Sequence, residues 1–158
     1  MKKLFTAALL CAATGAFAQK TNFSGNYKVN EEKVNWGPAP KYILPRYIKV
    51  EQLKDKVIIA RTPLNQQLEE QSPVVDTISF DGTVFNKLNA NGTKTSSSLK
   101  WTDDKSFVLI RKSVGTDGVV SNTTTETWIL EDAGKTLFVS RDIDGRMKYN
   151  TKAYFSKL

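Results

Sequence analysis

FVLIRKSVGTDGVVSNTTTETWIL, residues 107–130, decides the fold. Apolar and polar residues alternate on both sides of Gly115-Thr116-Asp117-Gly118. Alternation with period two marks a strand with one buried face. A turn this short joins only antiparallel neighbours, because a parallel crossover needs about a dozen residues or more. With Val114 set opposite Val119, Arg111 falls beside Asn122 and Phe107 beside Glu126. One face of the hairpin then carries Phe107, Leu109, Trp128 and Leu130 together with Arg111, Asn122, Thr124 and Glu126.

The same pattern extends in both directions. Strand-like runs occupy 23–30, 46–52, 56–62, 75–81, 83–88, 94–102, 106–114, 119–131, 136–143 and 147–156. Turn signals separate most of them, among them Lys54-Asp55, Asp81-Gly82, Asn91-Gly92, Asp103-Asp104, Ala133-Gly134 and Asp144-Gly145. Asn-Gly and Asp-Gly supply the positive φ angles of tight hairpins. The chain is therefore expected to be all-β: an antiparallel up-and-down meander of eight to ten strands, closed into a barrel that removes its edges.

Further pairings follow from the turns. Leu130 opposite Leu137 sets Trp128 beside Val139 and Glu126 beside Arg141. A one-residue bulge at Asp144-Gly145 would place Ile143 opposite Met147 and Arg141 opposite Tyr149. The expected interior thus adds Leu137, Val139, Ile143, Met147, Tyr149, Ala153 and Phe155, and near the N-terminus Ile48, Val50, Val57 and Ile59 in phase with Arg61.

Two connections are longer. Pro38, Pro40 and Pro45 forbid a helix through most of 31–45, where Trp36 either plugs a barrel end or stacks on a ligand. In 63–74, Leu64 and Leu68 stand i, i+4, compatible with one or two helical turns, a lid or a polar loop. Trp101 shares a face with Leu99 and is expected in the core.

The N-terminus has its own signature. Lys2 and Lys3 precede an uncharged, mostly apolar run from Leu4 to Ala18, ending in Ala16-Phe17-Ala18. This is the pattern of a cleaved export signal over 1–18, with a mature chain beginning at Gln19 in the periplasm or outside the cell. The apolar run falls short of the ~20 residues of a membrane-spanning helix, and no later stretch approaches them. Cys11 follows Leu10 and so does not fit a lipid-attachment site. Residues 19–158 form one expected domain.

Composition narrows the chemistry. The chain has no His, and its single Cys lies in the leader, which excludes disulfides and Cys/His metal sites from the mature chain. No calcium-loop motif occurs, and no cofactor is implied. Loss of Lys2 and Lys3 lowers the net charge of +7 by two. The remaining charges are scattered singly, unlike the basic tracts that bind nucleic acid.

The informative residues are the polar minority on the apolar face: Arg61, Arg111, Asn122, Thr124, Glu126 and Arg141. An unpaired charge in a dry core costs several kcal/mol, so these groups must be paired or wet. Two arrangements satisfy that rule. Either Arg141 and Glu126 form a cross-strand ion pair with Arg111 at the rim, or the arginines meet an acidic or polar head group in a wet interior. The candidate ligand-binding residues are Arg61, Arg111, Asn122, Glu126, Trp128, Arg141 and Tyr149.

The opening strand Phe23-Ser24-Gly25-Asn26-Tyr27 resembles the F-x-G-x-W start of lipocalin-like calycin barrels. The layout is similar to that of small exported bacterial lipocalin-like proteins. It has a Gly-Pro-rich connection at Gly37 to Pro40 and an apolar strand Ile48 to Gln52. E-x-W-x-L follows at Glu126 to Leu130, and a terminal strand ends at Tyr154 to Lys157. Tyr27 departs from the usual tryptophan, and no helical hairpin follows the first strand as in intracellular fatty-acid carriers. The resemblance implies a cup or barrel that binds a small ligand, without implying which.

The sequence thus favours a non-enzymatic exported module holding a small apolar or amphipathic molecule. A packed barrel acting as a structural or interaction protein is the alternative, and no protein partner is indicated. Catalytic triads are excluded by the absence of His, and of Cys from the expected mature chain. Glu126 is the one candidate acid, and an arginine neighbour would lower its pKa, the wrong direction for an acid catalyst.

Overall fold

The computed structural model describes residues 20–89 and 91–158; the expected leader, Cys11 and the junction at Gln19 lie outside the described residues. Ten antiparallel strands follow one another: β1 (Gly25–Val29), β2 (Tyr47–Gln52), β3 (Lys56–Thr62), β4 (Val74–Ser79) and β5 (Phe85–Leu88). They continue with β6 (Lys94–Trp101), β7 (Ser106–Val114), β8 (Val120–Glu131), β9 (Thr136–Gly145) and β10 (Tyr149–Lys157). Sheet order is β4-β3-β2-β1-β10-β9-β8-β7-β6-β5, a meander curled until β1 pairs with β10. The barrel is nearly closed. Its seam lies between β4 and β5, the two ends of the sheet, which are not hydrogen-bonded to each other.

Alternation drives this arrangement. In β3 every second residue is buried (Val57, Ile59, Arg61), and in β8 the buried set is Thr124, Glu126 and Trp128. One end of the interior is packed solid. Phe23 lies 4.8 Å from Phe107 and 5.8 Å from Trp101, and Phe107 stacks on Trp128 at 5.3 Å. Phe80 reaches Trp101 at 5.4 Å, binding the end of β4 to β6 across the seam with side chains instead of a ladder. Tyr27 is buried there too, its hydroxyl donating to the Phe23 carbonyl at 2.9 Å, and Trp101 joins this core as expected.

Register holds at β8–β9, with Leu130 opposite Leu137 and Glu126 opposite Arg141, and at β2–β3, with Ile48 opposite Arg61. Two hairpins are displaced by two residues. Gly115 and Val119 close the β7–β8 turn, and a bulge at Ser113/Val114 adds another residue. Arg111 therefore faces Thr124, and Phe107 faces Trp128, in place of the expected Asn122 and Glu126. At β9–β10 the turn is not at Asp144-Gly145. Gly145 stays in β9, where a Cβ would sit 3.0 Å from the Ser121 carbonyl oxygen, and residues 146–148 make the turn. Ile143 then pairs with Tyr149 and Arg141 with Thr151, while Met147 is pushed onto the loop, 65% exposed rather than inside. A slip of two leaves every other side chain on its own face, whereas a slip of one would have reversed them all.

The longer connections behave differently from each other. Residues 31–45 carry only short 3-10 turns at Glu31–Lys33 and Lys41–Ile43 between their prolines. Trp36 packs against the edge of the core. Residues 63–74 form no helical turn. Asn65 Oδ1 accepts from the amides of Gln67 and Glu69, both at 2.9 Å, and a Leu64–Glu70 bridge folds the loop back on itself. The short asparagine side chain captures the amides a helix would have used.

Candidate functional site

Above the aromatic floor the interior turns ionic. Five charged side chains from five strands converge there: Arg61 (β3), Asp76 (β4), Arg111 (β7), Glu126 (β8) and Arg141 (β9). Each lies in phase with apolar neighbours of its own strand, so the pleat itself points it inward. Arg61 is the hub. Its Nη1 donates to Asp76 Oδ2 at 3.0 Å and its Nη2 to Glu126 Oε2 at 2.9 Å. Its guanidinium carbon also lies 5.4 Å from the centre of the Trp128 ring, within cation–π range. Glu126 Oε2 accepts a second hydrogen bond, from Trp128 Nε1 at 3.0 Å.

Arg111 and Arg141 are held more loosely. Arg111 Nη2 is 3.5 Å from Asp76 Oδ2 and 4.0 Å from Glu126 Oε2, and Arg141 Nε is 3.4 Å from Glu126 Oε1. Neither carboxylate aligns well enough to accept a hydrogen bond from them: Arg111 Nε and Nη2 and Arg141 Nε are buried without partners. Arg141 Nη1 is satisfied by the Ile43 carbonyl at 2.6 Å, which ties the 31–45 connection down over the barrel mouth.

The cluster borders a partly open cavity of about 190 Å³. Trp128, Phe155, Ile48 and Val139 form its apolar base, while Tyr42 to Pro45, Pro63 and Val74 form the roof and rim. Of the seven candidate residues, Arg61, Arg111, Glu126, Trp128 and Arg141 line this space. Asn122 lies opposite Ser113 and Gly145, and Tyr149 opposite Ile143; neither is in the lining. Arg141 faces Glu126 as the first arrangement expects, and Arg61, Arg111 and Arg141 all border the cavity. Two contributors were missed by sequence reasoning. Asp76 stands in phase with Ile78 and so carried a detectable signal, but the Tyr42–Pro45 roof has no periodicity that would reveal it.

Electrostatics follow from this geometry. Burial pushes the Glu126 carboxyl up, but Arg61, Arg111 and Arg141, aided by the Trp128 N–H, outweigh it and hold the group at about 2. Burial and the Arg111 charge pull Arg61 down to about 10 against the attraction of Glu126 and Asp76, so it remains a cation at neutral pH. The folded value of Glu126 lies below its ordinary 4.5. Its contribution to stability is therefore complete above that pH and is lost as pH falls toward 2. Urea midpoints should drop across this window, and Glu126→Gln, weaker throughout, should lack that part of the slope.

No protein-family model and no curated protein sequence matches the chain. Among solved structures the chain is similar to a Schistosoma mansoni fatty acid binding protein in complex with arachidonic acid. The TM-score is 0.52 at 14% identity, covering 86% of this chain and 96% of that one. It is also similar to wild-type fluorescent protein UnaG, with a TM-score of 0.55 at 15% identity, covering 86% of this chain and 97% of that one. At these identities the likeness concerns architecture alone: the chain has a lipocalin-like β-barrel fold.

Proposed function

We propose that this protein is a non-enzymatic binding module that takes a small amphipathic molecule with an anionic head group into the barrel mouth. The observation that carries this is the mismatch in the ionic cluster. Three arginines face two carboxylates, leaving one positive charge in excess, and the unpartnered N–H groups belong to Arg111 and Arg141 at the cavity. An anion seated in the cavity beside Arg111 and Arg141 would offset that excess charge. The apolar base suits the other end of such a ligand, and binding by the solved neighbour that holds arachidonic acid agrees with that use of the fold. Glu126, held at about 2, is ionised at neutral pH and cannot act as a general acid.

Thermal unfolding tests the proposal. A ligand selective for the native state raises the midpoint in proportion to RT ln(1 + [L]/Kd). Short amphipathic carboxylates at millimolar concentration should raise it, and their uncharged amides should not. If no carboxylate does better than its amide, the proposal fails. The solid aromatic end of the barrel then favours the alternative, a packed module that acts through its outer surface.

We also propose that the module is exported and that residues 1–18 are removed. The support is the cationic start, the apolar run and the Ala16-Phe17-Ala18 site. The intact mass of protein recovered from an exporting host should match a chain beginning at Gln19, with or without cyclisation of that glutamine. A mass that includes Met1 would contradict it.

A further inference from the structure

We propose that the cavity is selective for compact monoanions, a carboxylate on a short alkyl chain or a single ring, and gives no added affinity for long-chain lipids. This rests on the carrier function proposed above and specifies its ligand class. Three features carry it.

The first is size. A cavity of about 190 Å³ lies below the roughly 300–1,000 Å³ of sites that enclose drug-sized ligands. At the ~30 Å³ a water molecule occupies it has room for about six waters, or on the order of ten covalently bonded non-hydrogen atoms.

The second is the floor. Trp128, Phe155 and Ile48 at the base are at most 2% exposed, and behind them Phe107, Phe23 and Leu109 are fully buried, with the Phe107 ring tilted against Phe23 and stacked on Trp128. A longer chain has no apolar channel to extend into. The roof closes the opposite direction, because Arg141 pins the Ile43 carbonyl over the mouth. Methylenes beyond the first few must therefore project through the rim into water, where they gain nothing from burial.

The third is charge. The cluster exceeds neutrality by one, and its two loosely held arginines, Arg111 and Arg141, line the cavity. One carboxylate neutralises that excess. A dianion would bring an unmatched negative charge beside Asp76 and Glu126, and a cation would meet three guanidinium groups.

Isothermal titration of the protein with straight-chain carboxylates from butanoate to dodecanoate, with hexanamide as the uncharged control, tests the inference. Affinity should rise about fourfold per methylene while the chain is being buried. It should level off near six to eight carbons, the length set by the volume. Hexanamide should bind at least about tenfold more weakly than hexanoate, the loss expected for a charge-assisted contact. Val139→Ala, which trims the base by two methyl groups, should move the plateau to longer chains by one or two carbons. Affinity that keeps climbing through dodecanoate, or a Val139→Ala plateau that does not move, would overturn the size limit while leaving the carrier function intact. Equal binding of hexanoate and hexanamide would overturn the charge requirement. Absence of binding along the whole series would remove the carrier function and this inference with it.

Discussion

Arg61→Met should lower the stability of this protein by about 3–5 kcal/mol, the scale for removing one partner of a buried ion pair. Arg61 carries the two shortest ionic contacts of the cluster, at 3.0 Å to Asp76 and 2.9 Å to Glu126. Without it, two buried carboxylates confront each other across the barrel. The remaining arginines do not align to replace those hydrogen bonds. Urea denaturation measures the loss. Combining Arg61→Met with Asp76→Asn and Glu126→Gln should recover part of it, because the stranded charges then disappear. Arg141→Met should cost less, about 1–3 kcal/mol, since it approaches Glu126 only to 3.4 Å and its firm hydrogen bond is to the roof. Equal losses for the two variants would show that Arg61 is not the hub.

The second large effect concerns binding and has opposite signs at two neighbouring positions. Arg111→Gln makes the cluster neutral and removes a guanidinium from the cavity lining, so hexanoate affinity should fall on the order of tenfold. Asp76→Asn leaves the cluster more positive and frees Arg111 from its 3.5 Å neighbour, so affinity should rise by a similar factor. Both changes disturb the same ionic cluster, so damage to the fold alone would weaken binding in both. Titration that finds both variants weaker would therefore assign these residues to stability and not to ligand capture. Salt should reduce all of these effects only modestly, because the groups are largely shielded from solvent.

Much of the architecture was written in the pattern of alternation. All ten strands appear within one or two residues of where period-two runs place them, and β3 and β7 have the expected bounds. The inward set was also legible, for a specific reason. The two misjudged hairpins slipped by two residues, and the pleat repeats every two, so Arg111, Glu126 and Arg141 still point inward. Three things were hidden. Hairpin reasoning links only strands adjacent in the chain, so it found Glu126 beside Arg141 but not Glu126 bonded to Arg61, five strands away around the barrel. The bulge at Ser113/Val114 belongs to a turn whose closing pair depends on backbone angles, with Gly118 at a φ of 80°. The roof over the cavity is built from irregular backbone fixed by prolines and by one contact from Arg141, and neither has a periodic trace.

The seam between β4 and β5 has a dynamic consequence. Every other strand is laddered on both sides, whereas β4 bonds only to β3 and β5 only to β6. All four residues of β5 are exposed, and Val74 and Val75 of β4 are about half exposed. Local opening costs least where few buried contacts are lost, so β5 and the outer edge of β4 should be the first amides to exchange with deuterated solvent. Asp76 sits on that edge, bonded to Arg61 on the adjacent β3 and 3.5 Å from Arg111 on β7, so together with the Phe80–Trp101 contact the ionic cluster clasps a wall that no ladder joins. Neutralising Asp76 should then speed exchange in β4 far more than in β8 or β9, and the wall would breathe along one line instead of loosening everywhere.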